Sequence, residues 1–595
     1  MSEIVEPTYF GDVERPLFGW LHRPAQATIA TIGLLVCSPL GYEAVCAHRS
    51  LKHFASAAAA EGIPALRFDY DGTGDSAGTD MDPDRVDAWL RSIHGAIETL
   101  KAHTGVQQVA VLGVRLGATL SALVASQRSD IAGLAVIAPV IVPKGYLREL
   151  RALALARPQP PPPPDVVTDP ELHESAGFTL SSQTRAQLAG IDLMKVERAP
   201  PSVLIIERDD MPGYDAWRDK LLALGSNVRA HRLPGFTEMM LDSHETVIPA
   251  RMIAATREWL VQLAAAQSEA AAMPSPMAGL LNRALFQSDE GISVAMEQAV
   301  FIGAPDRLFG VVTTPVPGQG TRPSTTAVML LNSGAVHHIG PNRLYVTLAR
   351  RWAAQGIVVL RLDLSGIGDS APRAGEEENV VYSGRANDDI SAAMDFLVSE
   401  YGVTDIHAIG LCSGGYHGFK SAVAGAPLRT VVSINPLTFN WKEGTSLAFP
   451  EYRVAQDVMR YKTNALQWAS WKKLLTGGVN IPELLQVLLR RGASATANFV
   501  RDLARRMNIP LPEDLGTELA ALSKRDVNLL FVFANGEPGI DLLKNGGGCV
   551  VQRLRTHRKL DIQMIDGADH TFTTRWTRER LVEVLSTHVG RWTGH

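Results

Sequence analysis

The sequence has little cysteine and no dominant charge. Cys37, Cys46, Cys412 and Cys549 are the only thiols in 595 residues. None stands in CxxC spacing beside a histidine cluster, which argues against structural zinc and against a disulfide framework. Lys plus Arg number 57 against 62 Asp plus Glu, a net charge of −5, so there is neither a basic field for nucleic acid nor an acidic tail. Long hydrophobic runs are missing as well. The longest, residues 29–36 and 131–142, are interrupted by Gly or Pro and fall short of the roughly 20 residues that span a bilayer. The opening Met-Ser-Glu-Ile-Val-Glu-Pro has neither the positive start nor the apolar stretch of a secretion signal, so a soluble cytoplasmic protein is expected. No metal or cofactor is expected.

What is present is length and apolar content: 46% hydrophobic residues over 595 positions are enough for two large cores. The two halves echo one another in order. Leu17-Phe18-Gly19 returns as Leu308-Phe309-Gly310, and Asp69-Tyr70-Asp71-Gly72-Thr73-Gly74-Asp75-Ser76 returns as Asp363-Leu364-Ser365-Gly366-Ile367-Gly368-Asp369-Ser370. Gly113-Val114-Arg115-Leu116-Gly117 returns as Gly410-Leu411-Cys412-Ser413-Gly414, and Pro212-Gly213-Tyr214-Asp215 as Pro538-Gly539-Ile540-Asp541. The offsets, 291, 294, 297 and 326, rise steadily, as they do when two copies of one fold carry different insertions.

Within each half, short β-branched runs alternate with amphipathic stretches, the pattern of a mostly parallel sheet with helices on both faces. The expected organisation is a first domain at 1–263 with an insertion at about 144–199, a linker or connecting helix at 264–291 rich in Ala, Ser, Pro and Met, and a second domain at 292–595 with a helical insertion at about 438–524. Pro160–164 cannot be helix. Each insertion is placed to cap a pocket, with a disordered excursion as the alternative for the proline run.

A glycine two residues before and two after a central residue, between a strand and a helix, holds that residue's side chain exposed on a sharp turn. Gly410-Leu411-Cys412-Ser413-Gly414 follows the apolar run 406–409 and precedes a helical pattern. It resembles the nucleophile elbow of α/β hydrolases, with cysteine where serine is usual, as in dienelactone hydrolases and some thioesterases and acyltransferases. The resemblance implies two tandem α/β-hydrolase folds. Ser413 is the rival nucleophile, but centring the turn there puts bulky Leu411 at a position that must be small. A helix N-terminus and a neighbouring imidazolium both favour the thiolate of Cys412.

His570, in Gly567-Ala568-Asp569-His570-Thr571-Phe572 after the last strand pattern, looks like the family's base. The orienting acid is expected at Glu537, with Asp541 as the alternative and a helix N-cap as its plainer reading. Oxyanion donors are expected at the backbone N–H of Ser413 and of Gly334 or Ala335. His337, His338, His407, His417 and His557 read as surface or packing residues. In the first half Arg115 takes the nucleophile position and Glu238 the base position. A guanidinium cannot attack an acyl group, and an ion pair of Arg115 with Glu238 or Asp210 is expected there. This half resembles hydrolase-like proteins associated with exosortase and exopolysaccharide loci.

The chemistry these residues imply is attack of Cys412 on a thioester or ester, giving an acyl-enzyme that is hydrolysed or passed to an acceptor. The expected partner is a small-molecule acyl substrate, bound to CoA or to a carrier protein. Trp468, Trp471, Leu484, Leu485 and Leu488 offer apolar surface for an acyl group, and Arg490, Arg491, Arg501, Arg505 and Arg506 offer charge for an acidic carrier or CoA phosphate. Plain core and a solvated helix face are the alternatives. A non-catalytic scaffold with two silent units is the competing reading of the whole chain.

Overall fold

The computed structural model describes residues 3–26, 30–156, 160–164, 166, 169, 171–211, 213–267, 279–287, 293–303, 308–316, 325–442, 501, 507, 511 and 514–592. The chain divides into two compact units, one made of Met1–Ser324, Ala335–Val380 and Thr573–His595, the other of Thr325–Gly334 and Val381–Phe572. This division cuts across the sequence repeat, because 335–380 and the last helix group with the first half.

The first unit contains an eight-stranded sheet of β1 (Glu3–Gly11), β2 (Pro16–Pro24), β3 (Ile32–Cys37), β4 (Ala65–Phe68), β5 (Gln108–Val114), β6 (Ile131–Ile137), β9 (Ser202–Arg208) and β10 (Asn227–Leu233). Their order is β1-β2-β4-β3-β5-β6-β9-β10, with the β1-β2 and β2-β4 pairings antiparallel and every pairing from β4 onward parallel. The central strands are continuous apolar runs because both faces are covered. Leu35 and Cys37 pack with helices Arg85–Thr104 and Leu116–Gln127, while Ile32, Leu34 and Val36 pack with Tyr42–Ala60 and Ala250–Ala266. Between β6 and β9 the insertion forms helix Pro143–Ala156, a hairpin of β7 (His173–Ser175) and β8 (Phe178–Leu180), and helix Ser182–Ala189, capped by the Ser181 hydroxyl. Residues 160–164 lie outside helix and strand.

The same unit holds four antiparallel strands in the order β11 (Arg283–Gln287), β12 (Ser293–Ile302), β13 (Leu308–Thr314) and β15 (Val358–Leu362). β11 falls in the segment read as a linker. It is a strand because it pairs with β12 and buries Phe286 edge-on against Tyr9, ring centroids 6.0 Å apart. The second unit carries β14 (Thr326–Leu331), β16 (Asp405–Leu411), β17 (Thr430–Ile434), β18 (Asn528–Ala534) and β19 (Leu560–Ile565), all parallel in that order. The succession β12-β13-β15 copies β1-β2-β4, and β14-β16-β17-β18-β19 copies β3-β5-β6-β9-β10. No helix of the described residues is long and apolar enough to cross a membrane.

A polar interior of the first unit is built from the duplicated Asp-x-x-Gly-x-Gly-Asp-Ser loop. In each loop the first Asp accepts from the backbone N–H of the second, Asp69 from Asp75 at 2.9 Å and Asp363 from Asp369 at 3.0 Å. The serine hydroxyls of Ser76 and Ser370 accept the N–H of Phe18 and Phe309. A Cβ at Gly74 or Gly368 would lie 2.0 or 2.4 Å from that first carboxylate, and both residues have positive φ, so only glycine fits. The loops then exchange charge. Arg67 pairs with Asp369 at 2.5 Å, and its repeat counterpart Arg361 pairs with Asp75. Arg343 donates to the carbonyls of Gly72, Gly74 and Gly78.

His338, read from sequence as a surface or packing residue, is fully buried at the centre of this network. Its Nδ1 faces Asp363 at 2.8 Å and its Nε2 faces Asp75 at 2.6 Å. Carboxylates only accept, so both ring nitrogens must carry protons. Burial works against the charge, but Asp75 and Asp363 prevail and the imidazole is pushed up to about 10. Asp69 is pushed up to about 6 by burial and by the charge of Asp75. His338, Asp363 and Asp369 are close enough together to hold a cation. Imidazole protons and the Arg67 guanidinium already occupy the ligand positions.

A histidine raised in the fold stabilises it fully below its ordinary value near 6.5, and that contribution is lost as the pH rises through the folded value. Unfolding free energy measured by denaturant titration should therefore fall between pH 7 and 10, with a slope of up to about 1.4 kcal/mol per pH unit. His338→Gln should lose this slope and about 3–5 kcal/mol of stability at pH 7. A wild type of constant stability over this range would contradict the charged bridge.

Candidate active site

In the second unit, β16 ends at Leu411, Cys412 takes φ 56° and ψ −116°, and helix Ser413–Ala424 begins at once. The turn is forced by close backbone approach. A Cβ at Gly410 would lie 2.1 Å from the carbonyl carbon of Gly414, and one at Gly414 would lie 2.5 Å from the carbonyl oxygen of Leu331. The Cys412 N–H donates to Ile434 O at 2.8 Å, fixing the turn to β17. Left-handed backbone at a residue with a Cβ is strained by about 1–3 kcal/mol, which the surrounding sheet must hold. Cys412 is half-buried. Ser413, the rival nucleophile, is buried with its hydroxyl engaged: it accepts from the Gly334 N–H at 2.9 Å and donates to Asn332 O at 3.3 Å.

The imidazole of His570, with 28% of its side chain exposed, faces Glu537 Oε2 through Nδ1 at 3.1 Å. Burial pulls its pKa down, but hydrogen bonding and charge from Cys412 and Glu537 outweigh this and hold it well above the ordinary histidine value. Cys412, His570 and Glu537 thus come together. Asp541 sits in the first turn of helix Gly539–Gly547, while Glu537 occupies the turn after β18. Of the expected oxyanion donors, the Ser413 N–H opens its helix, where the first N–H groups have no intrahelical acceptor. The Gly334 N–H is engaged by the Ser413 hydroxyl, and Ala335 belongs to the other unit.

Two residues that sequence reasoning missed stand beside these. Asn435 is fully buried at the end of β17 with φ 44°. Its amide Nδ2 donates to the His570 carbonyl at 2.8 Å, its Oδ1 accepts from the Ala534 N–H at 2.8 Å, and its own N–H donates to Val532 O. The repeat held the signal for it: the matching position in the first half is Ala138, with φ 46° and an N–H to Ile206 O, which has no amide to offer. Tyr382 is the other. Its ring stacks on Trp441 at 4.2 Å and meets Tyr416 edge-on at 5.2 Å. His417 Nε2 donates to Val381 O at 2.8 Å, and burial pushes this imidazole down to about 4. His407 is buried too, pushed down to about 3 by burial and by Arg429.

The insertion residues Trp468, Trp471, Leu484, Leu485, Leu488, Arg490, Arg491, Arg505 and Arg506 lie outside the described residues, and Arg501 is exposed.

In the first half, Arg115 repeats the backbone of Cys412 with φ 52° and ψ −119°. Its expected pairing with Glu238 or Asp210 is corrected by the structure. Arg115 instead pairs with Glu43 and Glu149, each at 2.8 Å. The reason is the insertion: helix Pro143–Ala156 brings Glu149 and Tyr146 to the guanidinium, and the Tyr146 hydroxyl donates to Glu43. Asp210 pairs with neighbouring Arg208 at 2.7 Å, and Glu238 lies exposed on the short helix Phe236–Met239.

A family model described as serine aminopeptidase, S33, matches residues 47–171 and 323–478, less than half of the chain, and each matched segment contains one elbow. Comparison with curated proteins finds no match. Among solved structures, Est1E from Butyrivibrio proteoclasticus with bound ferulic acid is 17% identical, covering 43% of this chain and 99% of its own, at a TM-score of 0.34. A proline iminopeptidase from Mycobacterium smegmatis is 17% identical over 44% of this chain and 99% of its own, at 0.31. An α/β serine hydrolase without a lid from Xanthomonas campestris is 18% identical over 46% and 98%, at 0.30. Strand order, the glycine-flanked elbow and the family match together give the conclusion that the chain carries the α/β-hydrolase fold in two sheet-bearing regions, with cysteine at the elbow of the second.

Proposed function

We propose that this protein is a thioesterase, esterase or acyltransferase working through an acyl-enzyme on Cys412, and that its first half is a silent copy of the same fold. The observation that carries this reading is the joint interaction of His570 with Cys412 and Glu537. Thiolates attack thioesters readily, which favours an acyl group on CoA or on a carrier protein as the substrate. A cytoplasmic location is part of the same proposal.

The steps follow from the groups at hand. His570 takes the thiol proton, Cys412 Sγ bonds to the acyl carbon, and the carbonyl electrons move onto oxygen. When those electrons return, the bond to the leaving thiol or alcohol breaks and His570 delivers the proton to it. Water, or an acceptor with a hydroxyl, amine or thiol, then loses a proton to His570 and attacks the acyl carbon, releasing Cys412. Glu537 holds the ring with Nδ1 protonated and Nε2 free for the exchange. The serine aminopeptidase match favours amide cleavage as a second reading, which turnover of an aminoacyl anilide panel tests.

Turnover of an acyl thioester should disappear in Cys412→Ala. Iodoacetamide should label Cys412 in a His570-dependent way. Cys37 and Cys46 are buried thiols whose pKa burial pushes up to about 12, and exposed Cys549 serves as the reference. Equal labelling of Cys412 and Cys549, unchanged in His570→Ala, would favour the scaffold reading.

Glu537 raises the pKa of His570, and His570 acts as a base only when unprotonated, so Glu537→Gln should move the acidic limb of the pH–rate profile to lower pH and cut kcat about 10²–10⁴-fold. An unmoved limb would remove Glu537 from its role. Asn435→Leu, which takes both amide bonds from the base loop and from β18, should lower kcat more than it raises KM. Wild-type kcat in a folded Asn435→Leu would show that the His570 loop holds itself.

A further inference from the structure

An oxyanion needs donors aimed at the place where its charge develops. At this elbow the Ser413 N–H supplies one, while the Gly334 N–H is engaged by the Ser413 hydroxyl. Tyr382 offers another. The residue is 6% exposed, and its hydroxyl oxygen is buried, next to Cys412 and with no well-aligned hydrogen bond among the described residues. Buried hydroxyls are almost always paired, so one left open marks a place for something else to bind.

The ring is held firmly in that pose. Trp441 stacks on one face, Tyr416 and His417 crowd it from the nucleophile helix, and the His417 imidazole clamps the preceding carbonyl of Val381. Burial raises the phenol's pKa, and the charge of Cys412 and its hydrogen-bonding proximity raise it further, which places the hydroxyl beside the sulfur. The phenol therefore keeps its proton throughout the working pH range and stays a donor.

We propose that the Tyr382 hydroxyl is an oxyanion donor that binds the carbonyl oxygen of the acyl group attacked by Cys412, beside the Ser413 N–H. This rests on the reading of Cys412 as nucleophile. As the sulfur–carbon bond forms, the carbonyl π electrons become a lone pair on oxygen, and the two N–H and O–H donors hold it. The pair returns to carbon as the leaving group departs with a proton from His570, and Tyr382 keeps its own proton throughout. Because the donor is a side chain rather than a backbone amide, it can be removed alone.

The test is Tyr382→Phe in the full chain, which retains the stacked ring and deletes one oxygen. Two readouts are compared: hydrolysis of p-nitrophenyl butyrate, which passes through an oxyanion, and alkylation of Cys412 by iodoacetamide, a displacement that forms none. The expected result is a fall in kcat of about 10²-fold, a KM within about twofold of wild type, and alkylation kept within about twofold. Unchanged hydrolysis, or alkylation falling in parallel with hydrolysis, overturns the assignment, the latter by showing that Tyr382 acts on the thiol rather than on the acyl oxygen. A wild type that neither hydrolyses the ester nor alkylates at Cys412 overturns this proposal and the nucleophile reading together. An active wild type matched by an equally active Tyr382→Phe overturns this one alone.

Discussion

Backbone contact at the elbow governs the second unit. Gly410 and Gly414 approach so closely that neither can carry a side chain, and Gly414 also presses on the end of β14. Strand and helix are thereby joined by a single residue, and that residue is forced into positive φ with its side chain directed away from the packed backbone. Everything chemical follows from where this places one sulfur. β17 receives the Cys412 N–H, and Asn435 at the end of β17 reaches both β18 and the His570 loop. Glu537, in the turn after β18, meets the ring of His570. Parallel strands ending at one edge let three distant stretches of chain converge, a property of this topology and not of any local sequence.

The first half shows what the same backbone does with other side chains. Arg115 has nearly the torsion angles of Cys412, so the strained turn forms with a guanidinium as well as with a thiol. The position of Asn435 has become Ala138, and the insertion has moved Glu149 and Tyr146 onto the guanidinium. A buried cation at the elbow then requires anions, and Glu43 and Glu149 supply them. The duplicated loops follow a different course, since both copies keep their aspartates and exchange arginine partners across a protonated His338.

Much of this was legible in the sequence. The strand runs, the elbow and the turns that carry Glu537 and His570 all lie in short motifs whose spacing is set by local geometry, so Cys412, Glu537 and His570 can be picked out by pattern. Asn435 and Tyr382 cannot, because nothing local marks them: one follows an ordinary buried strand, and the other lies in an irregular stretch between motifs. Their significance comes from contacts with residues 135 and 30 positions away, His570 and Cys412. His338 was missed for a related reason. A histidine's partners decide its charge, and both of its carboxylates come from distant loops. The partners of Arg115 were misjudged because triad logic looks along the old catalytic positions, whereas the guanidinium is long enough to reach the insertion.

The most direct measurement is the mass of the protein quenched in acid milliseconds after mixing with a short-chain acyl thioester, followed by peptide mapping. The account predicts one added acyl group, located on Cys412 and absent from Cys412→Ala. An acyl group on Ser413, or one spread without preference over Cys412 and Cys549, would contradict it.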